Sequence, residues 1–323
     1  LKKFSLVYIA KISILTGLVL KSTGSHYEVL IENKKITARL RGKLRLISNK
    51  HTNPVAVGDW VELATDKNGD YLIVHVLERK NYIIRRSVNL SKQTHILASN
   101  IDLACLLVTP VFPETSFGFI DRFLVTCEAY SIPAILVFNK VDLFQGDMEE
   151  LIANYEAVYQ TIGYTTLRTS ALNGTGLEIL KNLLKDKVTL LSGHSGVGKS
   201  TLINAISPGL NLKTGDISEY HFKGKHTTTY AEMHPLSFGG FVIDTPGIKG
   251  FGLVEMQPEE IGDYFPEIFR EKTNCRYNNC LHINEPECAV LKALSFGKIS
   301  ETRYQSYLAM LNDEENGPYR SSH

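Results

Sequence analysis

Gly193-His194-Ser195-Gly196-Val197-Gly198-Lys199-Ser200, or GHSGVGKS, matches a glycine, four free positions and then Gly-Lys-Ser. It follows the apolar run Val188 to Leu191 and precedes Thr201-Leu202-Ile203-Asn204-Ala205. The stretch therefore predicts a strand, a tight loop and a helix start, the context that separates a phosphate-binding loop from a glycine-rich turn with a surface lysine. Three glycines let successive amides converge on one phosphate group, and the helix N-terminus adds partial positive charge. Lys199 would reach the outer phosphates, Ser200 would ligate magnesium, and Thr201 continues the contact. His194 occupies a free position and can face nucleotide or solvent.

A phosphate loop does not choose a base. Upstream, Asn139-Lys140-Val141-Asp142 follows the apolar run Ala134 to Phe138. A carboxylate at Asp142 can accept hydrogen bonds from the ring N–H and exocyclic amine of guanine, whereas adenine offers a lone pair at the matching ring position. Asn139 can bond the base or the neighbouring loop, and the stem of Lys140 can lie over the ring. Ser170-Ala171, after the next predicted strand, could offer backbone amides to the guanine carbonyl. Downstream come Lys225-His226-Thr227-Thr228-Thr229 and, after Phe241 to Ile243, Asp244-Thr245-Pro246-Gly247. An acid at a strand end holds magnesium through water, and a glycine amide beside it can sense the terminal phosphate. Among the three threonines, Thr228 is the candidate for the magnesium shell. The expected ligands are thus GTP or GDP and Mg2+.

The motif order is circularly permuted: the base-reading motifs precede the phosphate loop. A permuted chain can build the same sheet, because domain termini tend to lie close together. It also sends the segment after DTPG straight into the last domain, so loss of the terminal phosphate would pull on that domain. Alternating apolar strands and helices from Ile101 to the phosphate loop predict a parallel sheet covered on both faces. The residue after DTPG is Ile248, which cannot hydrogen-bond an attacking water. Intrinsic turnover should be slow, with a docked partner raising it by about 10³ to 10⁵. His226 is the candidate for positioning that water, and Lys199 the other catalytic candidate.

Ahead of this domain, GLVLKSTG, YEVLIE, ITARLRGKLRLI, DWVELAT and YLIVHVLERKNYIIR read as short strands separated by turn signals, and Asn89 to Asn100 as a polar connection. About five strands in so short a span predict a small closed barrel, an OB-fold. In its third strand Arg39, Arg41, Lys43 and Arg45 alternate with Leu40, Gly42, Leu44 and Leu46, placing four cations on one face. Between Asn33 and Lys50 there are seven Lys or Arg and no acid, a stripe able to neutralise a phosphate backbone. Tyr27, Trp60 and Tyr71 are stacking or core candidates.

Past Glu255 the chain reads as helical. Cys275, Cys280, His282 and Cys288 fall within fourteen residues as C-x4-C-x-H-x5-C. Three thiolates and an imidazole make a closed tetrahedral zinc shell, hence a structural site able to supply about 10 kcal/mol or more of folding free energy. A final amphipathic helix, about Ile299 to Leu311, should pack on this module.

The 323 residues, 43% of them hydrophobic, suffice for several cores, and the net charge of +1 excludes a uniformly basic nucleic-acid binder. Five cysteines, three of them crowded together, suit metal binding in a reducing compartment. Lys2-Lys3 followed by FSLVYIA resembles a secretion signal, but Lys11 interrupts the apolar run and no small-residue cleavage site follows. Residues 1–15 read as an N-terminal extension. The expected organisation is multidomain: extension 1–15, OB-fold RNA-binding barrel 16–90, permuted α/β P-loop GTPase 91–255, and a mainly helical zinc-binding module 256–323. No stretch reaches the ~20 apolar residues of a membrane helix, and without a coiled-coil repeat the default is a monomer.

A barrel, then NKVD before GHSGVGKS before KHTTT before DTPG, then the C-x4-C-x-H-x5-C knuckle, together resemble the bacterial ribosome small-subunit-dependent GTPase A family, from about residue 16 to 312. The resemblance implies GTP hydrolysis stimulated by the small ribosomal subunit, contact with its rRNA, and a late step of subunit maturation in the cytoplasm. The residues alone reach a GTPase with an RNA-binding barrel and a zinc module. Two rivals share those parts: a GTP-dependent translation or RNA-remodelling factor outside assembly, and a nucleotide-gated RNA clamp with negligible hydrolysis.

Overall fold

The computed structural model describes residues 14–42, 53–86, 94–212, 231–244 and 256–316. The first unit is a five-stranded barrel of β1 (Leu15–Ser22), β2 (Tyr27–Ile31), β3 (Lys34–Leu40), β4 (Trp60–Thr65) and β5 (Tyr71–Val76). Its strands run β1-β2-β3-β5-β4 and close through β1–β4, with β3 and β5 parallel and the other pairs antiparallel. This is the OB-fold connectivity the strand count predicts. Val19, Tyr27, Val29, Val61, Leu63 and Ile73 fill it. Tyr27 is a core residue, while Trp60 stays 45% exposed.

Two expectations shift here. The predicted third strand is cut short, since β3 ends at Leu40. Arg39 and Arg41 are exposed and Ala38 and Leu40 buried, the alternation expected of a barrel wall; Lys43 and Arg45 lie outside the described residues. The predicted polar connection contains β7 (Thr94–Ser99), which pairs antiparallel with β6 (Tyr82–Arg86) in a separate hairpin. Ile83 and Ala98 of that hairpin enter a core shared with the following domain, so tertiary burial overrides the polar flanks.

The joint between hairpin and barrel is polar and satisfied. Asp59, fully buried, accepts from Arg79 Nε and Nη2 at 2.7 Å each, Ser99 Oγ at 2.6 Å and the Ala56 amide at 2.8 Å. Asn53 both donates to and accepts from the backbone of Ile96 (2.8 and 2.9 Å), and Asn81 does the same with Ile101 (2.8 Å each). A buried charge with this many partners offsets its desolvation, and losing one partner would not.

The second unit is the α/β domain. β8 (Leu103–Val108), β9 (Ala134–Asn139), β10 (Thr165–Thr169), β11 (Val188–Ser192) and β13 (Phe241–Asp244) are parallel, in order β10-β9-β8-β11-β13, with β12 (Glu232–Pro235) antiparallel at the edge. Every residue of β8 is buried, as a strand covered on both faces must be. The covering helices are α1 (Phe117–Ala129), α2 (Asp147–Ile162), α3 (Leu177–Leu184) and α4 (Lys199–Ile206). Ser116 caps α1 by accepting from the Phe119 amide, and Gly163 ends α2 in the left-handed region.

The third unit holds α5 (Pro258–Ile261), α6 (Pro266–Lys272), α7 (Ala289–Ser295) and α8 (Glu301–Asn316). Its core includes Ile261, Phe265, Ile268, Val290 and Tyr307, joined by Val125 of α1. Arg303 of α8 is fully buried and donates to Glu267 Oε1 at 2.7 Å, Glu267 Oε2 at 3.2 Å and Asp121 Oδ1 of α1 at 2.8 Å. Tyr159 of α2 donates to the same Asp121 oxygen at 2.8 Å, and the guanidinium lies 4.5 Å from the Phe265 ring centroid. Glu267 of α6 holds the Arg303 guanidinium within the module, and Asp121 of α1 bolts it to the α/β domain.

Candidate active site and metal centre

The phosphate loop leaves β11 at Ser192 and re-enters helix at Lys199. Two of its glycines are required sterically. Gly193 has φ +143°, and a Cβ there would lie 2.8 Å from the Leu107 carbonyl oxygen. Gly198 has φ +97°, and its Cβ would sit 2.5 Å from Asn139 Nδ2. Any side chain at Gly198 would push the loop away from Asn139.

Asn139 ends β9 and is buried; its Nδ2 donates to the Val197 carbonyl at 2.9 Å, and its Oδ1 accepts from Thr169 Oγ1 at 3.0 Å. Of the two roles open to this side chain, the structure shows the loop-bonding one. Lys140, at φ +63°, sends its ammonium to the Phe112 carbonyl at 2.8 Å. Val141 and Asp142 begin a short 3-10 turn after it. Ser170 Oγ donates to the Asp142 carboxylate and accepts from the amides of Leu172 (3.2 Å) and Asn173 (3.3 Å). The hydroxyl of Ser170 therefore holds the Asp142 carboxylate, a role the sequence reading missed by looking only at the backbone of Ser170-Ala171. Loop 109–115 was also missed. Its wall is braced by Thr109 Oγ1 donating to the Pro113 carbonyl at 2.5 Å, and the only signal was the turn chemistry of Thr109-Pro110 and Phe112-Pro113.

On the phosphate side, Lys199 Nζ donates to the carbonyls of Gly193 (2.6 Å) and His194 (2.9 Å). Burial pushes its pKa down, and the nearby Asp244 carboxylate opposes that. Asp244 ends β13 beside Leu191 of β11. Burial pushes its carboxyl up; Lys199 and His234 pull it down and Glu232 adds to the rise. Among the described residues Asp244 Oδ1 is buried with no hydrogen-bond partner. An orphaned carboxylate oxygen at a strand end, facing the phosphate loop, fits a metal-bound water. Ser200 and Thr201 open α4 beside it, Ser195 and Gly196 are exposed at the loop tip, and the His194 ring lies 4.0 Å from that of Phe119. His226, Thr228, Gly247 and Ile248 lie outside the described residues.

The four expected zinc ligands converge. Their ligand atoms all lie within 4.8 Å of one another, with Cys275 Sγ 3.9 Å from Cys288 Sγ and His282 Nδ1 3.6 and 3.4 Å from those two sulfurs. Tetrahedral zinc with bonds of about 2.3 Å to sulfur sets sulfurs about 3.8 Å apart, so the cluster has the size of that ion. Burial pushes the Cys280 thiol up to about 12 and raises Cys288 as well; a bound dication would reverse both. The surrounding shell is in place: Tyr304 donates to the His282 carbonyl at 2.6 Å, Tyr307 to the Leu281 carbonyl at 2.7 Å, and the Leu291 amide to Cys288 Sγ at 3.5 Å.

Comparison with known proteins agrees with this layout. A family model described as RsgA GTPase matches residues 76–254, and one described as RsgA N-terminal domain matches residues 16–73. The small ribosomal subunit biogenesis GTPase RsgA of Bacteroides fragilis (strain YCH46) is 53% identical over 308 residues, 95% of this chain and 99% of that protein. Its Flavobacterium psychrophilum counterpart is 54% identical over 307 residues, 93% and 94% of the two chains. Among solved structures, YjeQ from Thermotoga maritima superposes with TM-score 0.77 at 36% identity, over 94% of this chain and 99% of that one. YloQ, described as a circularly permuted GTPase, gives TM-score 0.71 at 31% identity, over 95% and 97%.

Proposed function

Since the chain belongs to the RsgA GTPase family, we propose that it hydrolyses GTP while docked on the small ribosomal subunit, contacting its rRNA, in late subunit maturation. The observation that carries the site assignment is the bond from Asn139 to the Val197 carbonyl. It seats the base-reading and phosphate-binding motifs side by side, so one nucleotide can span both.

In this reading Asp142, steadied by Ser170, accepts from the guanine edge, Ala171 offers an amide to the guanine carbonyl, and the stem of Lys140 covers the ring. Gly193 to Gly198 cradle the phosphates, with Lys199 exchanging its loop carbonyls for phosphate oxygens. Ser200 and Thr228 would hold Mg2+, and Asp244 would do so through water. When bound, that ion neutralises charge developing on the transferred phosphoryl group. Gly247 senses the terminal phosphate, and His226 orients the attacking water when the subunit is bound. Cys275, Cys280, His282 and Cys288 hold one structural zinc. Arg39, Arg41, Lys43 and Arg45 face the rRNA backbone.

The proposed divisions are barrel 16–90, GTPase 91–255 and zinc module 256–323, in a monomer acting in the cytoplasm. Among the described residues no helix is long and apolar enough to cross a membrane. The test is phosphate release with and without purified small subunits. A rise of about 10³-fold or more is expected from a partner that completes the site. No rise would leave a nucleotide-gated clamp or a factor acting outside assembly.

A further inference from the structure

β1 serves two cores at once. Val19 points into the barrel, whereas Leu18 and Leu20 are buried in the same cluster as Met233 of β12 and Ile243 of β13. The sheet of the α/β domain therefore does not stop at β12; it continues through β1 into the barrel. The seam has a single register pair, Lys21 with Glu232, and their side chains form an ion pair at 2.9 Å, each half-buried. The next register pair inward is Glu232 with Asp244. Register partners project to the same face of a sheet, so Lys21, Glu232 and Asp244 form one row from the barrel to the carboxylate facing the phosphate loop. In sequence, β12 also lies between the threonine segment and DTPG.

We propose that Lys21 and Glu232 are positioning residues that couple the barrel's hold on RNA to the strand pair carrying Asp244. Neither belongs to the nucleotide motifs. The pair fixes where β12 and β13 sit relative to the barrel, so a shift of the barrel on its RNA is felt at Asp244, and the nucleotide state is felt at the barrel, as linkage requires. A half-exposed ion pair is weak, and its influence comes from being the one charged contact in the seam among the described residues. The inference rests on the proposed action at the small subunit.

The test measures the affinity of purified small subunits for the full chain with GDP and with a non-hydrolysable GTP analogue, and takes the ratio of the two. Lys21→Ala and Glu232→Ala should each lower that ratio by roughly two- to five-fold, the range of an exposed pair. Basal hydrolysis of Lys21→Ala, and the melting temperature of both variants, should stay near wild type. The swapped pair, Lys21→Glu with Glu232→Lys, should restore the ratio, which a merely structural role would not require. Single variants with an unchanged ratio, or a swap that fails to restore it, would overturn the coupling. A wild-type ratio of one together with no stimulated hydrolysis would instead bring down the proposed function, and the coupling with it.

Discussion

Asn139 and Val197 are 58 residues apart, and one hydrogen bond of 2.9 Å joins them. It closes the permuted site from the inside. Asn139→Ala would leave the Val197 carbonyl short of its partner and Thr169 Oγ1 without its acceptor, at a cost of about 1–3 kcal/mol. Both GTP and GDP should bind more weakly, by similar factors, in equilibrium titration. A loss confined to guanine discrimination would mean that the side chain reads the base instead.

Asp142→Asn should behave in the opposite way. An amide can donate to the xanthine carbonyl where a carboxylate cannot, so preference should move toward xanthosine nucleotides with the fold intact. Competition binding decides it, and unchanged guanine selectivity would remove Asp142 from the site.

Lys199→Ala and His226→Ala should separate binding from firing. Losing Lys199 removes an ammonium held between two loop carbonyls beside Asp244 and should harm nucleotide affinity and turnover together. Losing His226 should leave affinity and basal hydrolysis near normal and abolish most of the subunit-stimulated rate in single-turnover assays. Full stimulation of His226→Ala would assign the water to another group.

Zinc removal should unfold the third unit, since metal binding of about 10 kcal/mol or more is folding free energy in such sites. Three thiols must lose protons to ligate, and burial holds Cys280 and Cys288 high. Zinc affinity in competition with a chelator should therefore fall as pH falls, by up to about 10³ per pH unit for three protons. A flat profile would argue against thiolate ligation.

Arg303→Met should destabilise the chain by about 3–5 kcal/mol, because it strands Asp121 and Glu267. Burial already raises Asp121, and removing the cation raises it further, so the folded state holds more protons than the unfolded one. Stability must then fall as pH rises. Urea unfolding should show the deficit larger at pH 8 than at pH 5.5; a pH-independent deficit would locate the loss in packing.

The parallel strands were legible because burial on both faces writes them as apolar runs, and the phosphate and base motifs because their chemistry fixes residue types. Partner choice was not legible. Arg303 reads as the wet side of an amphipathic helix, yet its partners lie 36 and 182 positions away and bury it completely. β7 was hidden because its strand character comes from contacts across a joint rather than from alternation. That joint also shows why Asn53 and Asn81, unremarkable in sequence, each bond both backbone groups of a distant residue.

The pairing of β1 with β12 sets an order in time. During synthesis β1 emerges more than two hundred residues before β12, and the last barrel strand more than one hundred and fifty before it, and N-terminal units fold first. When β12 arrives, its outer edge meets a strand already in place. A fragment beginning after the barrel would lack that strand and present an unpaired edge beside Met233 and Ile243, which the barrel's Leu18 and Leu20 otherwise cover. Bare sheet edges template pairing between chains. The barrel thus also covers a sheet edge that the domain following it would otherwise expose.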